Sequence, residues 1–327
     1  MAIDWAPFVE LVRRHKRFVI TTHVRPDGDG LGSMLALDEV LRDLGKEVHL
    51  TIASTLPPRY SFLDPGRRVQ QFEPPGEIYK DAEVALVLDT GTWNQLGSYG
   101  PCFAKLSAAK AVIDHHLTQD DLGAQRFIDT TAEATGRLIY EAITALERPL
   151  PASAANALFA ALSMDTGWFR HSNTTTKTFA LAAELVEAGA TPESLYYQLF
   201  EQNRMGRLKL MGLILGRLQV TMEGKIAYTE LLRGDYEATG STPQDCEDLV
   251  NYTLSLQGVE VGLFFMEQPR GGVKVSFRSR SVDVARVAEQ FGGGGHRPAS
   301  GATLTTSLDD AKSRVLHAVR LALQPAG

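Results

Sequence analysis

The chain has 327 residues, long enough that two domains are expected rather than one. Hydrophobic residues make up 44% and charged residues 22%, an ordinary globular composition. The formal net charge of −6 argues against a broad surface that coats duplex nucleic acid, and leaves a local positive pocket as the way to hold an anionic ligand.

Cys102 and Cys246 lie far apart with no CxxC, so both are read as reduced thiols of a cytoplasmic protein. Asp4 and Glu10 precede Arg13-Arg14-His15-Lys16-Arg17 with no apolar core, so neither a signal peptide nor a membrane span is expected.

Trp5, Phe8, Val9 and Val12 share one face of a helix. Arg17 to Thr22 reads as a buried strand that ends in His23-Val24-Arg25-Pro26-Asp27-Gly28-Asp29-Gly30. The proline and glycines predict a loop there, with a helix opening at Gly32-Ser33 and running through Leu44. Glu47 to Ile52 is the next strand, so the order is strand, loop, helix, strand, the unit of a parallel sheet. In an extended loop Asp27 and Asp29 point to opposite sides and can serve different ions; taken alone they are a solvated acidic turn.

Val84 to Leu88 is a fully apolar strand that runs into Asp89. Val112-Ile113 runs into Asp114-His115-His116, and the apolar helical run Leu158 to Met164 ends in Asp165. Any one of these is a polar strand end or a helix cap. Together they put four acid-bearing ends near one sheet edge, where open α/β folds hold their ligands. Mixed imidazole and carboxylate donors favour Mn²⁺ over Mg²⁺, and a pair of such ions suits phosphoester hydrolysis. Spacing alone does not say which residue serves which ion.

Thr175 to Ala188 is a helix stopped by Gly189, and Pro192 to Leu218 is helical with a break near Asn203. The domains are accordingly 1–200, a connector 201–218, and 219–327. In the last of these, Leu218 to Met222 and Lys225 to Thr229 flank Glu223-Gly224 as a hairpin. Glu247 to Leu256 reads as helix, Val259 to Met266 and Val273 to Phe277 as strands, and Asp283 to Phe291 as helix. Gly292-Gly293-Gly294-Gly295-His296 follows, a loop whose backbone can approach an anion, with Arg278 and Arg280 upstream for phosphate.

His23-x-x-x-Asp27-x-Asp29, Asp89, Asp114-His115-His116 and Asp165 together resemble the DHH phosphoesterase superfamily, and within it the nanoRNase and pAp-phosphatase group. The run Asp165-Thr166-Gly167-Trp168-Phe169-Arg170 and Ser172-Asn173-Thr174-Thr175 is similar to that group's, with His171 where an aromatic is usual. We expect His171 to be a partly buried, hydrogen-bonded histidine. The resemblance implies an α/β fold: a parallel-sheet N-terminal catalytic domain and a smaller α/β C-terminal domain.

It implies two divalent cations, Mn²⁺ by ligand chemistry. His23, Asp27 and Asp89 would hold one, and Asp29, Asp89, His115 and Asp165 the other, with Asp89 shared. It implies that His116 touches the scissile phosphate and that Asp114 supports the site from behind. The C-terminal half resembles the DHH-associated substrate domain, which implies substrate contacts from Arg278, His296 and the loop Gly293, Gly294 and Gly295, with Arg280 weaker. Here the loop continues Arg297-Pro298-Ala299-Ser300-Gly301 where the family has two alanines and a glycine.

The expected activity is hydrolysis of short oligoribonucleotides, and of 3′-phosphoadenosine 5′-phosphate, by a cytoplasmic enzyme. The partners are therefore short single-stranded RNA, dinucleotides or a nucleotide bisphosphate, with no membrane; a homodimer stays open. A phosphodiesterase for linear or cyclic dinucleotides is the alternative within enzymes. A nucleotide sensor without turnover is the alternative outside them, disfavoured because the donor set is complete.

Overall fold

The computed structural model describes residues 3–324. They form two compact units that divide between Gln202 and Asn203. Among the described residues no helix is long and apolar enough to cross a membrane.

The first unit is built on six parallel strands: β1 (Arg17–Thr21), β2 (Glu47–Ile52), β3 (Val69–Gln71), β4 (Val84–Leu88), β5 (Ala109–Asp114) and β6 (Gln125–Ile128). Their order is β3-β2-β1-β4-β5-β6. The helices are α1 (Ala6–Arg14), α2 (Gly28–Asp43), α3 (Trp93–Leu96), α4 (Gly100–Lys105), α5 (Thr135–Ala145), α6 (Ala152–Asp165), α7 (Thr176–Glu187) and α8 (Pro192–Phe200). Strand residues alternate between two apolar clusters, as a two-residue repeat demands. Phe18, Ile20, Leu86, Leu88 and Ile113 join α1, α2, α5 and α6 on one side. Val19, Ala85, Val87 and Val112 meet Phe72, Tyr99 and Phe103 on the other. Burial on both faces explains why these strands are unbroken apolar runs.

The strand order reverses between β1 and β4, so their carboxyl ends flank a crevice. His23 follows β1 and Asp89 follows β4, with Asp114 the last residue of the neighbouring β5 and His115 just after it. Helix α2 begins at Gly28, not at Gly32-Ser33 as expected. Asp27 is its N-cap, with Oδ1 accepting from the amides of Asp29 (3.0 Å) and Gly30 (3.1 Å). The unfavourable helix propensity of its glycines is offset by contact with α6. A Cβ at Gly32 would stand 2.3 Å from the carbonyl oxygen of Ala157, so only glycine lets the two helices come this close. Asp29, on the first turn of α2, therefore comes to lie beside the end of α6, where Asp165 is the last residue.

The second unit has α9 (Met205–Gly216), β7 (Gln219–Thr221), β8 (Ile226–Leu231), α10 (Asp235–Thr239), β9 (Val261–Glu267), β10 (Val273–Ser279), α11 (Val284–Glu289), β11 (Gly294–His296), β12 (Ala299–Leu304) and α12 (Leu308–Leu323). The sheet order is β11-β12-β10-β9-β8-β7, with β8 and β9 parallel and the other pairs antiparallel. Helices α11 and α12 cover one face through Val284, Val287, Val315 and Val319. The helix expected to be a connector, α9, belongs to this unit: its Leu210 and Ile214 are buried with Leu231, Phe264 and Met266. An apolar stripe that needs a partner face decides membership, and that face comes from strands later in the chain. The expected helix 247–256 is a run of 3₁₀ turns over Leu249–Ser255. Part of the glycine run, Gly294–His296, is an edge strand rather than a loop.

Candidate functional site

Two groups of donors stand at the carboxyl ends of β1, β4 and β5. In the first, His23 Nε2 is 3.6 Å from Asp27 Oδ1 and 3.4 Å from Asp89 Oδ2. In the second, His115 Nε2 is 3.2 Å from Asp165 Oδ2, 3.6 Å from Asp89 Oδ1 and 3.8 Å from Asp29 Oδ2. Asp89 thus presents one oxygen to each group. Its own backbone is left-handed, φ +61°, a conformation aspartate tolerates better than most residues and one that turns the chain sharply off β4.

Both imidazoles are oriented from behind. His23 Nδ1 lies 3.0 Å from the carbonyl of Val24, and His115 Nδ1 lies 3.1 Å from that of Ala132. Each carbonyl takes the Nδ1 proton and leaves Nε2 turned to the carboxylates, the usual arrangement of a histidine that ligates a metal. His116 is different. Its Nδ1 is 2.8 Å from Asp114 Oδ1, which leaves Nε2 as its available nitrogen on a half-exposed ring. Asp114 is fully buried, and protein groups use both its oxygens: Oδ1 also accepts from the amides of His115 (2.8 Å) and His116 (3.2 Å), and Oδ2 from Gln119 Nε2 at 2.5 Å. It is a support for the histidines rather than a free donor.

The electrostatics are those of a cation site. Four carboxylates, Asp27, Asp29, Asp89 and Asp165, surround two imidazoles. Burial disfavours charge on His23, yet hydrogen bonding and charge from Asp27 and Asp89 outweigh it and push the imidazole up to about 10. Burial likewise opposes protonation of His115, and Asp165 and Asp89 push it up to about 9. Burial first, then the charges of Asp89, Asp165 and Asp27, raises Asp29 well above the usual carboxylate range. Burial raises Asp89 too, against the opposing hydrogen bond from His23. A divalent cation in each group would relieve this crowding.

The donor spacings of 3.2–3.8 Å lie within or slightly above the range for one ion, since donors ~2.1 Å from an ion stand roughly 3.0–3.4 Å apart at octahedral or tetrahedral angles. Two further observations fit a group held here. Thr22 Oγ1 is buried without a hydrogen-bond partner among the described residues. A Cβ at Gly30 would stand 2.4 Å from that hydroxyl and 3.3 Å from both Asp89 Oδ2 and His23 Nε2, so the chain keeps this spot free of any side chain.

Thr135 and Gly136, which the motifs do not include, complete the site. Their amides donate to Asp29 Oδ2 (2.6 Å) and Oδ1 (2.8 Å), and Thr135 Oγ1 donates to Asp89 Oδ1 (2.8 Å). Gln119 was missed as well. Its only signal was a position three residues after His116, and Thr135 and Gly136 had none.

His171 is exposed rather than partly buried. Three successive left-handed residues, Gly167, Trp168 and Phe169, turn the chain outward after Asp165, and the His171 ring lies over Gly167. It joins neither donor group.

In the second unit three of the predicted substrate residues, Arg278, Gly294 and His296, share one face of the sheet. Arg278 pairs with Ala299 and Ala299 with His296, so the three form a row across β10, β12 and β11 with side chains on one face. Ser276, Gly301 and Gly294 form the adjacent row on that face. Two long polar side chains thus border a floor of small residues. Arg278 is half-buried, with Nε donating to Asn251 Oδ1 at 3.1 Å, and burial lowers the pKa of its guanidinium. Gly295, with φ +143°, belongs to the opposite face, where it lies against Ser300; Gly293 lies against Gly301 and Ala302. Arg280 lies past the end of β10 and donates to the carbonyl of Leu254 at 2.9 Å.

Residues 17–162 match the DHH family, N-terminal domain, and residues 223–324 match the DHHA1 domain. A bifunctional oligoribonuclease and PAP phosphatase NrnA of Bacillus subtilis (strain 168) is 31% identical over 90% of this chain and 92% of its own. An exopolyphosphatase-related protein from Bacteroides fragilis superposes with a TM-score of 0.90 at 24% identity, over 97% of this chain and 95% of that one. RecJ from Thermus thermophilus, solved in complex with Mn²⁺, superposes with a TM-score of 0.55 at 18% identity over 97% of this chain and 54% of that one. With all its donors but Asp165 within the DHH match and its Arg278 and His296 row within the DHHA1 match, this chain belongs to the DHH family of phosphoesterases.

Proposed function

We propose that the protein is a cytoplasmic, Mn²⁺-dependent hydrolase that cuts oligoribonucleotides of two to about five nucleotides and removes a phosphate from 3′-phosphoadenosine 5′-phosphate. The observation that carries this is the pair of donor groups joined through the two oxygens of Asp89. A relative whose name carries both activities matches nearly the full chain.

His23, Asp27 and Asp89 would hold one cation, and Asp29, Asp89, His115 and Asp165 the other. When bound, such a pair of ions neutralises the phosphate and lowers the pKa of water at the site. Imidazole–carboxylate donor sets of this kind favour Mn²⁺ over Mg²⁺. The residues of the chain do the rest. The carboxylate of Asp114 holds His116 Nδ1 and raises the pKa of the ring through their hydrogen bond, which favours the protonated form and leaves Nε2 to face a phosphate oxygen. Arg278 and His296 bind the nucleotide part of the substrate, with Gly294 and Gly301 leaving room for it.

The test is turnover by purified protein with MnCl₂ on 3′-phosphoadenosine 5′-phosphate, cyclic dinucleotides, pyrophosphate, and an RNA ladder from two to about twenty-four nucleotides. The expected result is activity abolished by EDTA, with kcat/KM highest on the shortest RNA and only moderately salt-dependent. Equal or rising kcat/KM with length would refute the short-substrate reading. Saturable binding with no turnover of any substrate would make the protein a sensor.

A further inference from the structure

Thr135 is fully buried at the first residue of α5 and touches two carboxylates of the His115 group, one of which, Asp89, is shared with the His23 group. Its hydroxyl donates to Asp89 Oδ1 at 2.8 Å, shorter than any contact of that carboxylate with the three histidines, which lie at 3.4–3.8 Å. Its amide donates to Asp29 Oδ2 at 2.6 Å. Helix α5 has no cap of its own, because the N-cap residue is Ala134. Asp29 takes that place from 106 residues earlier, accepting from Thr135 and Gly136 with one oxygen each. The same helix turn therefore anchors both acids.

An aspartate can serve two ions only if the plane of its carboxylate is held. Turning Asp89 about its Cβ–Cγ bond would withdraw Oδ2 from His23 and Oδ1 from His115 together. The nearest group that resists this turn is the Thr135 hydroxyl. We propose that Thr135 is a positioning residue that fixes the plane of Asp89, and thereby makes two donor groups into one binuclear site. This rests on the two-cation reading above.

The experiment is manganese binding, read without turnover. Metal-free wild type, Thr135→Val, Thr135→Ala and Thr135→Ser are titrated with MnCl₂ by calorimetry, and the saturated forms are compared by electron paramagnetic resonance. Two ions that share a carboxylate couple magnetically. Wild type and Thr135→Ser are expected to bind two ions and to give the coupled spectrum. Thr135→Val keeps the branched shape and the amide but has no hydroxyl. It should bind its first ion like wild type, its second roughly 10- to 100-fold more weakly, and show uncoupled ions. Thr135→Ala is expected to do the same, so a folding failure of the valine variant leaves the test standing.

Wild-type affinities and coupling in both hydroxyl-free variants would overturn the proposal. Equal impairment in Thr135→Ser would overturn it too, since packing rather than the hydroxyl would then be at work. Failure of wild type to bind any Mn²⁺ is a different result: it removes the two-cation reading itself.

Discussion

Replacing Gly30 by alanine adds one methyl group to the first turn of α2 and removes no donor. In a solvent-exposed helix the change would stabilise by about 1 kcal/mol. Here the new carbon would lie 2.4 Å from the buried Thr22 hydroxyl, about 1 Å inside ordinary contact. Overpacking of that kind costs about 1–3 kcal/mol, so the net loss of stability should be about 0–2 kcal/mol and the protein should still fold. The effect on the site should be larger. The carbon would also stand 3.3 Å from Asp89 Oδ2 and from His23 Nε2, which must then give way by a few tenths of an ångström. Metal–ligand distances tolerate only about 0.2 Å. Affinity at the His23 group should fall at least about tenfold.

At a Mn²⁺ concentration about a hundred times the wild-type Kd, the ion stabilises wild type by about 2.7 kcal/mol, and a tenfold weaker site gives up about 1.3 kcal/mol of that. For a unit of this size the metal-induced rise in Tm should shrink by roughly 3–5 °C. Thermal unfolding of EDTA-treated and Mn²⁺-loaded Gly30→Ala, with calorimetric titration, reads both effects separately. A variant with wild-type Mn²⁺ affinity and an unchanged metal-induced shift would refute the claim that this spot must stay empty for the donors to converge.

Asp89→Ala should abolish activity beyond rescue by excess Mn²⁺, because both groups lose a donor, whereas Asp29→Ala should recover in part; full activity of Asp89→Ala at ordinary Mn²⁺ would contradict the shared-carboxylate arrangement. Arg278→Ala and His296→Ala should keep their manganese by elemental analysis and lose roughly ten- to a hundredfold in kcat/KM, the value of one charge-assisted phosphate contact. Gln119→Leu removes the donor to Asp114 Oδ2 and leaves that oxygen buried. It should cost about 1–3 kcal/mol in thermal unfolding and lower kcat with Mn²⁺ affinity retained, so loss of manganese instead would place Gln119 with the ligands.

Much of the first unit is legible in the chain because its chemistry is local. A parallel strand buried on both faces is an unbroken apolar run, so Phe18 to Ile20, Val84 to Leu88 and Val112-Ile113 identify themselves. The residue that follows such a run lies at the sheet edge, which places His23, Asp89 and Asp114 without any knowledge of strand order. The start of α2 was not legible. Local rules set two glycines against a helix, and the contact of Gly32 with Ala157 that overrides them joins residues far apart in sequence.

For the same reason Thr135 carries no motif. Its value lies in a hydrogen bond to Asp89 and another to Asp29, and neither partner is near it in the chain. The membership of α9 and the Arg278–Ala299–His296 row depend on which strands pair, and pairing is a long-range choice. Residue types at strand ends determine which atoms are available. Only the packing of α2, α5 and α6 against one another decides that Asp89 shows one oxygen to His23 and the other to His115, because a carboxylate's plane is set by whatever donor touches it.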